Sequence, residues 1–360
     1  MPRFGRAASF IAIGAAACVL QIAAARAADA PAAGVRDRSI GYVTSHLHWA
    51  IYQTPDGKEE CPDGVTTYGP REMFSDRYPK GGPVADTQLK TEATIWFPQD
   101  REDNAPYREA KGTIALGLNL DGKVGPNDFT SPAGEKGIDN QLYRAIGCSM
   151  FFRAPSGNFY IFGNKFVQDA VFNRTMIEIT NVDDLTNDPE VDVAFYRGRD
   201  KLMFDATSDR VMPGGSQRLD TRFGKNFERH FKGKIVNGVL TTEPADIDWP
   251  WSLAGASPRV LHLRGVRFSL KLSPGDAQGL VGGYAGVDDW YNHLITFSTH
   301  HESYGQLYAP ALYRTLNKLA DGYPDAGGRN TAISFAMEIR MAQVFIVHSK
   351  APQSVASAER

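Results

Sequence analysis

Hydrophobic residues recur with a period of two through most of the chain, and that period predicts strands. From Ile40 to Ile51, one face carries Val43, Leu47, Trp49 and Ile51, and the other carries Tyr42, Thr44, His46 and His48. This is the alternation of a strand with one buried side. Strands are also predicted at Lys90–Phe97 and at Ile114–Leu120, where Ile114, Leu116, Leu118 and Leu120 alternate. More are expected around Ser149–Arg153, Asn158–Phe166, Thr175–Thr180 and Val191–Tyr196. Asn237-Gly238 lies between Ile235-Val236 and Val239-Leu240 and predicts a hairpin, because a type I′ turn needs two residues that accept positive φ. Val266, Phe268, Leu270 and Leu272 alternate up to a Ser273-Pro274-Gly275-Asp276 turn, and a short strand is expected at Gly279–Gly286. Phe335, Met337, Ile339 and Met341 alternate, then Val344 and Ile346 resume on the other parity, which predicts a bulge.

Helical spacing is confined to two segments. Val287–Phe297 has Asp288 and Asp289 in its first turn, where the helix dipole favours acids. Pro310–Ala320 places Leu312, Leu316 and Leu319 on one stripe, with Pro in the first turn and Gly322 past the end. Strand follows strand without βα alternation. The expected fold is therefore mainly β, an antiparallel sandwich or barrel-like body with a few peripheral helices. The 35 Gly and 21 Pro supply the many turns such a body needs, and residues 53–92 read as a long excursion.

The first 27 residues read differently. Arg3 and Arg6 precede an apolar stretch from Ala7 to Ala25, and Ala25-Arg26-Ala27 supplies small residues at −3 and −1. This is the pattern of a secretory signal peptide cut after Ala27. Residues 28–37 are an expected flexible leader, 38–350 a single β-rich domain that would subdivide near 205–230 if at all, and 351–360 a disordered tail. The expected location is the periplasm or the medium, with no transmembrane segment after cleavage. Removing the segment's three arginines from 39 basic residues leaves 36 against 41 acidic ones, a net charge of −5. That disfavours a nucleic-acid partner. Cleavage also removes Cys18 and leaves Cys61 and Cys148, which predicts a disulfide in an oxidising compartment. Closing so long a loop stabilises by about 4 kcal/mol in the chain-entropy model.

Candidate chemistry falls in three places. In the loop beginning at Gly117, Asn119, Asp121 and Asp128 occupy positions 3, 5 and 12 of a calcium-loop pattern, with Gly122 at position 6 and Asp139 farther on. Position 1 is Gly117, which has no side-chain oxygen, so Asx-stabilised turns compete with a calcium site. His46 and His48, two apart on one strand face, could share zinc or copper with a third ligand, or simply line a polar sheet face. Asp289 and His293 are one helical turn apart and His300 and His301 follow, which is raw material for acid/base or metal chemistry. Trp249 and Trp251 flank Pro250, and with Tyr291 they are candidate ligand-stacking residues or else core anchors. The motifs for nucleotide, flavin or haem binding are missing, as is a G-x-S-x-G elbow.

LNLDG (Leu118–Gly122), SPAGEKGIDNQLYRAIGC (Ser131–Cys148), GKIVNGVLTTEPADI (Gly233–Ile247) and ADGYPD with TAIS farther on resemble a family of exported proteobacterial proteins. The resemblance implies export and one unit over most of the mature chain, and it implies no mechanism. The leading expectation is an exported binding protein for a carbohydrate or other envelope component, with calcium as stabilising ion. The alternatives are a hydrolase or lyase using the His/Asp cluster, with or without a metal, and a structural envelope component. N-terminal sequencing of the exported protein is expected to begin at Ala28; a start at Met1 would overturn the cleavage reading.

Overall fold

The computed structural model describes residues 38–54, 60–65, 79–82, 97–100, 107–208, 210–252, 259–298 and 309–348. The expected signal, leader and tail lie outside these residues, as does the expected strand at Lys90–Phe97 apart from Phe97. In chain order the strands are β1 Arg38–Trp49, β2 Phe129–Thr130, β3 Lys136–Ile138, β4 Thr175–Val182, β5 Asp188–Arg197, β6 Gly215–Arg218 and β7 Arg229–Val236. They continue as β8 Val239–Thr242, β9 Ala245–Trp251, β10 Arg259–Leu272, β11 Asp276–Gly286, β12 Gly322–Pro324 and β13 Asn330–Val347. The helices are α1 Gln141–Ile146, α2 Asn158–Asp169, α3 Val287–Ser298 and α4 Ala309–Leu319.

Antiparallel pairing runs β1–β4–β5–β7–β8–β10–β11–β13, and β13 returns to β1, so eight strands close into a barrel. β9 continues the line of β8 along β10, β12 pairs with β13, and β6 lies parallel to the end of β13. An eight-stranded barrel has a lumen just wide enough for side chains to fill. Here Ile179, Val193, Leu240, Phe268, Val281 and Ile339 fill it, all in one apolar cluster. Gly279 is required by that closeness: a Cβ there would stand 2.1 Å from the Ser269 carbonyl oxygen on β10.

Several expected strands hold with nearly their expected bounds, including the Asn237-Gly238 hairpin, whose two residues have φ of 52° and 75°. Both expected helices form, as α3 and α4. Three segments differ. Asn158–Phe166 is helical: Phe159, Gly163 and Val167 recur every fourth residue on the buried face of α2, a period hidden by the abundance of aromatic and β-branched residues. Ser149–Arg153 contains a single 3-10 turn, Met150–Phe152. The segment from Ile114 to Leu120 makes only isolated bridges, because side chains take its backbone groups. Asp139 accepts the Leu120 N–H and Asn140 donates to the Leu116 carbonyl. Leu118 and Leu120 pack instead beside Tyr284 on the outer face of β11.

Parity differs at both ends of the sheet. β1 carries a bulge between Thr44 and His46, so Tyr42, Leu47 and Trp49 all face the lumen while Val43 faces out. β13 has no bulge where one was expected; Met341 to Val344 pair in unbroken register with Thr44 to Gly41 on β1. Its odd residues enter the lumen, and Ala342, Val344 and Ile346 pack outside with Leu202 and Val211. Both faces are buried, and that mimics a phase change in the sequence.

α2 packs across β1 at the bulge. The Asn164 side-chain carbonyl accepts the buried Leu47 N–H at 2.8 Å, and its amide donates to the Tyr160 carbonyl at 2.8 Å. Asn164→Ala leaves that N–H unsatisfied, so a loss of about 1–3 kcal/mol is expected in urea unfolding. A loss below ~0.5 kcal/mol would show that the bulge does not depend on this bond.

Candidate functional site

Beyond Trp49 the chain leaves the barrel through Ile51–Thr54 and forms one wall of a cavity of about 590 Å³. The other walls are the strip at Lys111–Ile114, the segment around Glu60, and α1 with the turn after it. One residue knots three of these walls. Asn140 caps α1 by accepting the Tyr143 N–H, and its amide donates to the carbonyls of Ala50 and Leu116. The fourth wall is pinned covalently: Cys61 and Cys148 form a disulfide, with Cα atoms 5.1 Å apart and 87 positions between them in sequence. The Arg153 guanidinium donates to the carbonyls of both cysteines.

The lining is mixed. Tyr52, Tyr143, Ile51 and Ile114 give apolar surface, and Gln53, Thr54, Thr113 and Lys111 add hydrogen-bonding groups. Glu60 accepts the N–H groups of Lys111 and Gly112 and the Tyr143 hydroxyl. Burial, then the Glu60 charge, pushes the Tyr143 hydroxyl up to about 12, so it stays a donor at neutral pH. A cavity of this size with an apolar floor and a few convergent polar groups has the character of a small-ligand site. Among the described lining residues Glu60 is the sole acid and there is no histidine.

The sequence-derived candidates lie elsewhere. In the loop, the Asn119 carbonyl accepts from Gly122 N–H, Asp121 from Lys123 N–H, and Asp128 from Gly125 N–H. These are the turn bonds that compete with a cation. Among the described residues no group of three or more His, Cys, Asp or Glu could hold a metal ion. His46 and His48 sit under α2 on the outer face of β1. His46 lies 3.4 Å from the Gln168 amide, with its pKa lowered by burial first and then by Arg340 and His48. His48 Nε2 lies 3.3 Å from a Glu338 oxygen.

Trp249 and Trp251 are core residues, 2% and 3% exposed. The lumen-facing side of β9 buries them, so neither is available to stack on a ligand at the surface. Tyr291 is buried too and meets the Tyr313 ring at 5.2 Å. Asp289 and His293 do not work as a pair. His293 turns inward among Trp49, Trp251 and Trp290, at ring separations of 5.8, 4.9 and 5.7 Å. Burial, helped by Arg259, drops it to about 3, so it is neutral at physiological pH. Its Nε2 and the three indole N–H groups have no hydrogen-bond partner among the described residues. Asp289 is half-buried with a raised pKa, and the charges acting on it are His262, Arg264 and Asp288. His300 and His301 lie outside the described residues.

Two groupings had no sequence signal. Asp248 holds His262 Nδ1 at 2.7 Å and is held in turn by Arg229, an exposed set on β7, β9 and β10. Asp139 and Asp321 meet across 182 positions of sequence beside Tyr284. The cavity residues did carry a signal, since Glu60 and Gly147 adjoin the two cysteines expected to pair. No family model, curated protein or solved structure matches the chain.

Burial, more than its neighbour Asp139, raises Asp321 to about 7, and it accepts both the N–H and the hydroxyl of Ser334. A folded pKa above the unfolded value means the native state keeps a proton the unfolded chain releases. Between about pH 4 and pH 7, stability therefore falls as pH rises. The melting midpoint is expected to drop a few degrees (~2–5 °C) from pH 5 to pH 8 on this account. Asp321→Asn should flatten that drop; an equal slope in the variant would refute the assignment.

Proposed function

We propose that the protein is an exported binding protein whose ligand is a saccharide held in the cavity beside the Cys61–Cys148 disulfide. The observation that carries this reading is the lining itself. Two tyrosines offer amphipathic ring surface beside donors and acceptors of both kinds, in a space the size of a small ligand. Sugars present just that combination of apolar C–H faces and hydroxyl groups. Hydrolysis of a glycosidic bond takes two carboxyl groups at a set separation, and the described lining residues contribute Glu60 alone. Of the described histidines that favoured an enzyme, His293 is sealed in the core, and His46 and His48 lie under α2 on the outer face of β1. A disulfide in the wall suits an oxidising compartment such as the periplasm.

Thermal melts and titration calorimetry of the mature protein with mono- and disaccharides test the proposal. A binding sugar is expected to raise the melting midpoint with concentration. Tyr52→Ala, checked by its own ligand-free melt, is expected to weaken binding about tenfold, the loss of roughly 1.4 kcal/mol of ring contact. Failure of every sugar at millimolar concentration, or unchanged affinity in Tyr52→Ala, would sink the reading.

A further inference from the structure

The end of the barrel at Trp49 holds a cluster of hydrogen-bonding nitrogens that the chain leaves unused. Trp49, Trp251, Trp290 and His293 are buried with their rings in contact, at centroid separations from 4.7 to 5.9 Å. Each of the four has a side-chain nitrogen without a hydrogen-bond partner. Buried polar atoms are nearly always paired with protein, water or an ion, so four on touching rings point to an occupant from outside the chain. Arg259 stands at the edge of this cluster. It lies directly opposite Trp251 in the β9–β10 ladder, which puts both side chains on one face of the sheet. It is half-buried, makes no hydrogen bond or ion pair among the described residues, and is close enough to His293 to act on its charge. Indole and guanidinium donate and cannot accept. Water would have to place its own protons among these donors, whereas an anion has none to place. The contact spacing of the rings leaves room for an occupant of atomic size and excludes a sugar or a nucleotide.

We infer that Arg259, Trp251 and His293 form a halide-sized anion site at the mouth of the barrel, separate from the cavity beside the disulfide. Arg259 supplies the charge and the way in from solvent. The Trp251 N–H and the His293 ring supply hydrogen bonds from the core side, and Trp49 and Trp290 hold those two rings in place. The positive field of Arg259, which helps to keep His293 neutral, is the field that attracts the anion. His293 belongs to α3, so the anion ties that helix to the β9–β10 pair.

The test is a chloride titration of the mature protein at constant ionic strength, with gluconate as the balancing anion, read by tryptophan fluorescence and by thermal melts. Three of the chain's five tryptophans lie in the cluster, so the emission reports on it. A saturable change in emission is expected, with a melting midpoint that rises with chloride. Arg259→Met keeps the aliphatic stem, and its own chloride-free melt checks that it folds. It is expected to weaken chloride about tenfold, as for loss of one charge-assisted bond. In wild-type crystals soaked in bromide, an anomalous peak is expected within hydrogen-bond distance of Trp251 Nε1, and this decides the case without any variant. No saturable response to chloride, an affinity in Arg259→Met within about twofold of wild type, or bromide bound only elsewhere overturns the inference.

Discussion

Closure of the sheet by β13 against β1 is the constraint from which the rest follows. β13 runs the height of the barrel with β11 on one side and β1 on the other. Without that second pairing, β1 and β13 would be edges, each with a row of unpaired backbone groups. Closure at eight strands also settles where a ligand can sit. Among the described residues, Ile, Val, Leu, Phe and Met side chains fill the lumen. A binding site on this scaffold must lie at the rim, on segments that leave the barrel. The cavity beside the disulfide is such a place, because its walls are the exit of β1 and three segments outside the barrel.

The bulge at Ser45 links closure to the rim. It shifts the phase of β1 by one residue, so that Leu47 and Trp49 share the lumen with Tyr42. Tyr42 reaches the far end and donates to the Ser273 carbonyl. Trp49 reaches the near end, where Trp251, Trp290 and Phe159 surround it at 5.9, 4.7 and 5.7 Å. α3 follows directly from β11 and supplies Trp290 and His293 to that plug. His293 is therefore an interior group kept neutral by burial, although its sequence neighbourhood reads as a catalytic cluster.

The barrel was largely legible in the sequence because its strands bury one face, and a period of two records that directly. β4, β5, the β7–β8 hairpin, β10 and β11 all follow from it. The pattern failed where burial had another source. α2 owes its helix to packing on β1, and β13 is buried on both sides. Leu118 and Leu120 of the 114–120 strip alternate because they cover β11, while Asp139 and Asn140 take the strip's Leu120 N–H and Leu116 carbonyl. The site was less legible for a related reason. Isolated histidines stand out in a sequence, yet here each described one has a local partner or a buried seat. Glu60, Lys111, Tyr143 and Arg153 are ordinary residues made into a site by long-range contacts.

The disulfide is the feature that pins the walls of the cavity together. Cys61 holds Glu60 against the Lys111–Gly112 backbone, and Cys148 anchors the end of the α1 segment that carries Tyr143. Arg153 then donates to both cysteine carbonyls at once, which it can do only while the two segments are held together. The strand pairings that close the barrel lie in other segments, while Cys61, Tyr143 and Cys148 join the same apolar cluster that fills its lumen. The disulfide therefore ties the cavity walls to the barrel core. A wall of the cavity and the covalent bond expected of an oxidising compartment are thus the same piece of structure.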